Sequence, residues 1–285
     1  MGPFPFAYSV PWFPMHVVVF PFDLFGSAGT GAGARLLGDA VHEILDDTDR
    51  ETRPCRADAL RGTVRVTELD FDALPDVTGW RKRGRQTARS ALKRGEFVLW
   101  LGGNHLAALP VLEELGAGTL VVQFDAHLDV YAFHDNKEEL SHGNFLTHFE
   151  VPRPRLVNVG HRDLFLTPEE IGRTFETVYP AWDVAADVGR VAGELNARAK
   201  AAKRVWIDLD CDAFDPAVLP AVAEPLPFGL LPPTFLALFE AVWAGNVIGM
   251  SVTEFDPGRD VRDASLNLLG WLVEHTLLKA ATRRP

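Results

Sequence analysis

The stretch TLVVQFDAHLD, Thr119 to Asp129, carries the reading of the fold. Its first six residues are mostly β-branched or apolar and show no alternation between apolar and polar. That pattern predicts a strand covered on both faces, the kind found in parallel sheets flanked by helices. The run then changes character within one residue. Asp125, His127 and Asp129 stand at alternate positions, so in extended chain their side chains share a side. In an open parallel sheet, sites form just outside the carboxyl ends of the strands. The titratable cluster falls at that point.

Three further stretches repeat the motif of buried strand followed by polar residues. FVLWL, Phe97 to Leu101, leads into Gly102-Gly103-Asn104-His105. VWIDLDCDAFDP, Val205 to Pro216, places Asp208, Asp210, Asp212 and Asp215 within eight residues, beginning inside an apolar strand. Like charges so close repel, and burying them without partners is costly. A divalent cation resolves both problems. An acidic surface loop explains Asp215-Pro216, a turn signal, but not Asp208 and Asp210. VIGMSV, Val247 to Val252, is followed by Thr253 and Glu254.

Further strands are predicted at 16–20, 65–71 and 156–159, and helices at about 34–45, 78–94, 107–115, 183–203, 234–243 and 263–280, the last capped by Asp263. Thr167 with Glu170 three residues on reads as a capping box. Strands and helices alternate throughout, with no repeat and no evident linker. The expectation is one α/β domain over residues 1–285, a three-layer α/β/α arrangement around a mostly parallel sheet.

Composition narrows the function. Of 285 residues, 47% are hydrophobic and 24% charged, a normal globular balance. No apolar run reaches membrane-spanning length and the N-terminus lacks a basic leader, so a cytoplasmic protein without membrane contact is expected. The formal net charge of −11 argues against nucleic acid. The basic cluster Lys82, Arg83, Arg85, Arg89, Lys93 and Arg94 has the spacing of a solvated helix face. Two cysteines, Cys55 and Cys211, exclude a disulfide scaffold and a Cys-rich zinc site. The glycine stretch Gly26 to Gly33, GSAGTGAG, has GxGxG spacing where dinucleotide sites have GxGxxG, and no Walker lysine follows. It reads as a permissive loop.

In order along the chain, GGNHL, DAHLD, DCDAFDP and TEFDP resemble the arginase/agmatinase/formiminoglutamase (ureohydrolase) family, which carries GGDHS, DAHxD, DxDxxDP and a late strand ending in an acidic residue. The likeness spans about residues 102 to 260. It implies an arginase-like fold and a binuclear centre of two Mn²⁺, with Mg²⁺, Fe²⁺ or another divalent ion compatible with the same hard ligands. Carried over by motif, His105, Asp125, Asp129 and Asp210 would hold one ion, and His127, Asp125, Asp210 and Asp212 the other, with Asp125 and Asp210 bridging. The catalytic residues it implies are Asp129, His142 in Ser141-His142-Gly143 as proton shuttle, and Glu254 as partner of the substrate's planar cation. His134 and His148 compete with His142. Homo-trimers or hexamers are also implied.

The chain departs from the family in five places. Asn104 replaces the usual Asp, and Leu106 the usual Ser. An amide raises the basicity of a ligating histidine less than a carboxylate does, so weaker metal binding is expected. Asp208 stands where many members have Ser or Thr. The pocket-shaping PGTGxPEPGG segment appears as PAVAEPLPFGL, from Pro220. The loop 131–140 lacks the Asn/Thr/Ser pattern by which arginases hold the α-amino and α-carboxylate groups, and offers Asp135, Glu138 and Glu139. The expected activity is hydrolysis of a linear C–N bond in a small cationic guanidino or formimino compound, agmatine-like and not free arginine. A formiminoglutamase-like or deacetylase-like hydrolase, or a non-catalytic metal-binding protein, is the alternative.

Overall fold

The computed structural model describes residues 13–49, 55–60, 62–131 and 139–282. The apolar runs form eight strands: β1 (Met15–Phe20), β2 (Val64–Glu68), β3 (Phe97–Gly102), β4 (Thr119–Phe124), β5 (Arg155–Val159), β6 (Thr177–Tyr179), β7 (Arg204–Asp210) and β8 (Val247–Thr253). They make one sheet in the order β2-β1-β3-β8-β7-β4-β5-β6, with every neighbouring pair parallel. The helices are α1 (Thr30–Asp46), α2 (Arg56–Leu60), α3 (Leu74–Thr78), α4 (Trp80–Lys93), α5 (Leu109–Leu115), α6 (Pro168–Gly172), α7 (Ala181–Ala186), α8 (Val188–Ala201), α9 (Pro232–Trp243) and α10 (Ala264–Ala281).

The central strands are apolar at most positions because both faces are covered. Val17, Val19, Leu99, Leu101, Leu120 and Val122 point into a core shared with α1, α8, α9 and α10. Val18, Phe20, Val98, Trp100 and Val121 point the other way, into a core shared with α4 and α5. Period-two alternation therefore divides one hydrophobic run between two cores. Each fully buried Val or Leu contributes about 1.5–3 kcal/mol. The arrangement is the expected three-layer α/β/α fold.

Topology assembles the site. Strands β3, β8, β7 and β4 are consecutive in the sheet, although the polar clusters that follow them are spread from residue 102 to residue 254. The chain winds outward through β1 and β2, then through β4, β5 and β6, and β7 and β8 fill the gap between the halves. Such a reversal opens a crevice at the carboxyl edge.

Some boundaries differ from expectation. Helix α1 starts at Thr30, four residues early, inside the glycine stretch. The glycines are there for close approach: a Cβ on Gly33 would meet the Phe255 carbonyl oxygen at 1.9 Å. Gly29 and Gly31 donate their N–H groups to Asp23 Oδ2 at 2.9 and 3.1 Å. The helix expected over 183–203 is two helices broken at Asp187, whose carboxylate caps α8 through Arg190 N at 2.9 Å. Asp263 does not cap α10 with its side chain; Asp260 instead accepts from Ser265 N and Leu266 N at 3.0 and 2.9 Å. The short β6 and α2 have too few residues to show a period in the sequence. The Thr167–Glu170 capping box is present in full. Among the described residues no helix is long and apolar enough to cross a membrane. Much of the basic face of α4 is paired: Arg81 pairs with Glu113 at 2.6 Å, and Arg85 and Arg89 both pair with Glu114 at 2.8 Å.

Candidate metal centre

Every residue expected at the centre lies at the carboxyl edge of the four central strands. His105 opens a single 3₁₀ turn after β3, behind the Gly102-Gly103 corner. Gly103 is needed because a Cβ there would meet the Phe22 carbonyl oxygen at 2.2 Å. Asp125, His127 and Asp129 follow β4; Asp210 ends β7, and Asp212 lies in the 3₁₀ turn after it. Glu254 follows β8. Asp129 and Glu254 hold left-handed backbone conformations, φ 48° and 64°. That region costs a non-glycine residue energy.

His105 is the hub. Its Nδ1 lies 2.8 Å from Asp129 Oδ2, 3.1 Å from Asp210 Oδ2 and 3.2 Å from Asp125 Oδ2. On the neighbouring side, His127 Nδ1 lies 2.8 Å from Asp212 Oδ2 and 3.9 Å from Asp125 Oδ1. Two triads follow, His105/Asp125/Asp129 and Asp125/His127/Asp212, with the donor atoms of each within 4.8 Å of one another. Asp125 belongs to both. Asp210 adjoins the first through Oδ2, while its Oδ1 accepts from Asp212 N at 2.9 Å.

The donor set fits divalent ions. His105 Nδ1 and Asp125 Oδ2 are buried, yet neither has a hydrogen-bond partner among the described residues. Buried polar atoms are seldom left so. An octahedral ion holding oxygen or nitrogen at about 2.1 Å keeps neighbouring donors about 3 Å apart, which is the spacing around His105 Nδ1. The ligands are hard and no thiolate is among them, as Mn²⁺ or Mg²⁺ prefers.

The electrostatics state the same need. Burial, then the charges of Asp129 and Asp212, lift the Asp125 carboxyl to about 7. Burial and Asp212 likewise raise Asp210. Burial alone would raise Asp212, but its hydrogen bond and charge pairing with His127 prevail and hold it at about 2. Burial would depress His127, and the same pairing outweighs it, giving about 10. His105 is raised well above the imidazole range because Asp208, Asp125 and Asp129 overcome its burial. Without a cation, the imidazoles must carry the positive charge the carboxylates require.

Above this floor opens a cavity of about 260 Å³, walled by Ser27, Tyr131, His142, Val222, Ala223 and Glu224. His142 stands over the centre. Its N–H donates to the Phe25 carbonyl, and its Nδ1 lies 3.1 Å from Glu254 Oε1. Burial would depress His142, but the hydrogen bond and charge of Glu254 raise it. Glu254 Oε1 also accepts from His105 N at 2.8 Å; among the described residues no hydrogen bond reaches its Oε2. His148 does not line the cavity, and its carbonyl accepts from Arg81. His134, Asp135 and Glu138 lie outside the described residues. Glu139 is exposed and does not line the cavity.

Two expectations about the departures change. Asn104 does not address His105; its Nδ2 donates to the Leu24 carbonyl at 3.1 Å. The carboxylate against His105 Nε2 is Asp208, at 3.0 Å. The sequence reading also missed three contributors. Glu224 had no signal, sitting in a turn. Tyr131 follows Asp129 by two residues, and its hydroxyl accepts from Leu128 N at 3.3 Å. Arg162 had none either, yet its guanidinium donates to the carbonyls of Gly160, Asp212, Ala213 and Leu226 and so ties the Val222–Glu224 loop to the ligand loop. Asp215 keeps the bland role: its carboxylate accepts from Ala217 N and Gly229 N in a turn.

The chain is similar in sequence and fold to several known proteins. The N(1)-aminopropylagmatine ureohydrolase of Thermus thermophilus is 33% identical over 259 residues, covering 87% of this chain and 85% of that one. The agmatinase of Sodalis glossinidius is 28% identical over 188 residues, 61% of this chain; the chain spans a little over half, 56%, of that relative. Among solved structures, arginase from Bacillus subtilis superposes with a TM-score of 0.77 at 20% identity, over 95% of this chain and 99% of that chain. The agmatine ureohydrolase of Thermoplasma volcanium gives 0.73 at 20%, over 96% and 95%; at such identities the likeness is one of fold. The sequence profile described as "Arginase family" matches residues 14–278, which include the ends of all four central strands, and the chain therefore belongs to the arginase family.

Proposed function

We propose that this chain is a binuclear metal-dependent amidinohydrolase, built as one domain over residues 1–285, that releases urea from a small guanidino compound with a cationic tail. The observation that carries the reading is the pair of donor triads sharing Asp125 beneath a cavity whose wall holds His142 and Glu254. His105, Asp125, Asp129 and Asp210 would hold one Mn²⁺, and His127, Asp125, Asp210 and Asp212 the other, with Asp125 and Asp210 shared. The ions would supply Lewis acidity and a nucleophilic water at neutral pH.

The protein's own groups do the rest. Glu254 Oε2 receives the planar guanidinium and fixes its carbon over the centre, a charge-assisted contact of high directionality. Asp129 holds its carboxylate between His105 and the cavity. His142, whose proton affinity the neighbouring Glu254 raises, delivers a proton to the departing amine. The narrow cavity holds back bulk water, which strengthens each of these contacts.

Preference for a cationic tail is supported by Glu224, an exposed carboxylate on the cavity wall with no ion pair or hydrogen bond among the described residues. It would repel the α-carboxylate of arginine and attract the free amine of agmatine. The names of the Thermus and Sodalis relatives agree with this choice. A cytoplasmic location and a trimeric or hexameric assembly belong to the same proposal.

The test is a panel on Mn²⁺-reconstituted protein: arginine, agmatine, N(1)-aminopropylagmatine, guanidinobutyrate, formiminoglutamate and acetylated amines, with urea, formamide and free amine read separately. Urea from agmatine or its aminopropyl derivative, with arginine clearly poorer, is expected. Efficient turnover of arginine would remove the specificity claim. Formamide or acetate in place of urea would move the chain to another reaction. His142→Ala should lower kcat about 10²-fold or more and leave the metal content unchanged.

A further inference from the structure

The middle of the sheet should be apolar, yet one row across it is polar. Ser251, Asp208, Gln123 and Asn158 are in register on β8, β7, β4 and β5, and all are fully buried. On β7 and β4 they sit two residues before Asp210 and Asp125. Such a row is costly unless its members are satisfied, and here only Asn158 Oδ1, at the far end of the row, has no partner among the described residues.

The direction of the hydrogen bonds follows from the one group with no choice. An indole can only donate. Trp206 Nε1 donates to Ser251 Oγ at 2.9 Å, so the Ser251 hydroxyl is free to donate in turn to Asp208 Oδ1. The other carboxylate oxygen, Oδ2, takes His105 Nε2 at 3.0 Å and Gln123 Nε2 at 3.5 Å. Asn158 Nδ2 donates onward to Gln123 Oε1 at 3.4 Å. Two groups approach His105 Nε2: the Asp208 carboxylate, which accepts, at 3.0 Å, and the Gln123 Nε2 amide, which donates, at 3.4 Å. The nearer, charged partner decides, so His105 Nε2 carries its hydrogen and the amide turns to Asp208. When a cation takes over the positive charge and the ring is neutral, that leaves the lone pair on Nδ1, the atom that lies among Asp125, Asp129 and Asp210 without a hydrogen bond.

We propose that Asp208 is the positioning residue of His105: it fixes the ring's tautomer and rotation so that Nδ1 is presented to the metal centre, a duty Asn104 does not perform in this chain. The inference rests on the metal-centre reading above, but the geometry of Asp208, Ser251 and Trp206 does not depend on an ion being bound. It also removes the expected penalty of Asn104. The residue beside the histidine in sequence is an amide bonded elsewhere, and the carboxylate arrives from two strands away.

The experiment compares Asp208→Asn, Ser251→Ala and Asn104→Ala with the wild-type protein. Mn²⁺ binding to metal-free protein is followed by calorimetry and electron paramagnetic resonance. Removing a carboxylate that orients a ligating histidine costs about 10–100-fold in metal affinity. Asp208→Asn is expected to lose that much at one of the two sites, with the other changed less. Ser251→Ala should produce a smaller loss, and Asn104→Ala almost none. Thermal unfolding of each metal-free variant separates this from misfolding.

A second readout needs no metal. In protein with ¹⁵N-labelled histidine, the His105 Nε2–H should give a downfield, slowly exchanging resonance that moves upfield in Asp208→Asn. Wild-type protein that binds no metal but shows this resonance would sink the functional reading and keep the Asp208 assignment. Absence of the resonance in wild type, or Asp208→Asn binding both ions as tightly as wild type, would overturn the assignment itself.

Discussion

Gly33 lies on α1, away from every proposed ligand, yet substituting it should impair the site. A Cβ there would stand 1.9 Å from the Phe255 carbonyl oxygen, 2.9 Å from its carbonyl carbon and 3.0 Å from its Cδ1. Ordinary contact begins near 3.4 Å. The methyl group must therefore push the helix and the Phe255 backbone apart by about 1.5 Å. The obstacle is main chain, so no rotamer change relieves it. Phe255 immediately follows Glu254, and its side chain is buried in the core, so the displacement is passed to the residue proposed to hold the guanidinium. Overpacking of this kind costs about 1–3 kcal/mol. In a chain of this size each kcal/mol lowers Tm by about 2–4 °C. Misplacing a substrate-holding group by about 1 Å can cost roughly 10²-fold in rate. Gly33→Ala should thus lower Tm by several degrees and kcat for urea release by one to two orders of magnitude, at near-normal metal content. Gly193→Ala on α8 is the control. No heavy atom lies within 4 Å of its new Cβ, so it should stabilise by about 0.5–1 kcal/mol and leave kcat alone. Gly33→Ala with wild-type Tm and kcat would refute the reasoning.

The metal-free protein should lose stability as pH rises from about 4 through about 7, because burial and the neighbouring Asp129 and Asp212 charges lift Asp125 in the fold from 3.8 to about 7, so its ionisation opposes folding across that window. Urea unfolding of metal-free protein between pH 4 and 8 measures this, and Mn²⁺ should abolish the decline; a flat profile without metal would count against a crowded, buried carboxylate. Glu224→Gln should reduce kcat/KM for agmatine two- to fivefold, the size of a solvent-screened charge contact, and leave an analogue with an uncharged tail unaffected; equal losses on both substrates would contradict the assignment. Thr167→Ala removes the cap of α6 and should cost about 1 kcal/mol in thermal unfolding with no change in turnover.

The strands were legible because burial on both faces writes an unbroken apolar run, and the ligands were legible because they interrupt such runs. Asp208 and Asp210 show what could have been read further. They are two apart on one strand and so share a face, which placed Asp208 beside whatever Asp210 addressed. Its partner, His105, could not be read, since it depends on β8 lying between β3 and β7. Asn104 misled because sequence adjacency to His105 was taken for spatial adjacency, and the Gly103 corner turns its amide toward Leu24. Glu224 and Arg162 left no trace because a turn residue and a carbonyl-binding guanidinium have no periodicity. The broken helix at Asp187 was hidden by apolar spacing that continues across the break.

Asp129 and Glu254 are held in left-handed conformations, and each sits where a glycine would be more comfortable. The backbone at these two strand ends is less stable than the sequence could make it. A laboratory selection for heat resistance alone would find these positions and drift them toward glycine or asparagine, and the survivors would be sturdier proteins with a silent cavity. Thermostability gained by this chain without a parallel screen for turnover is therefore a poor guide to its improvement. The trade between a restful backbone and a working one is located at residues 129 and 254, and libraries that hold those two codons fixed can explore the rest of the fold with less risk to activity.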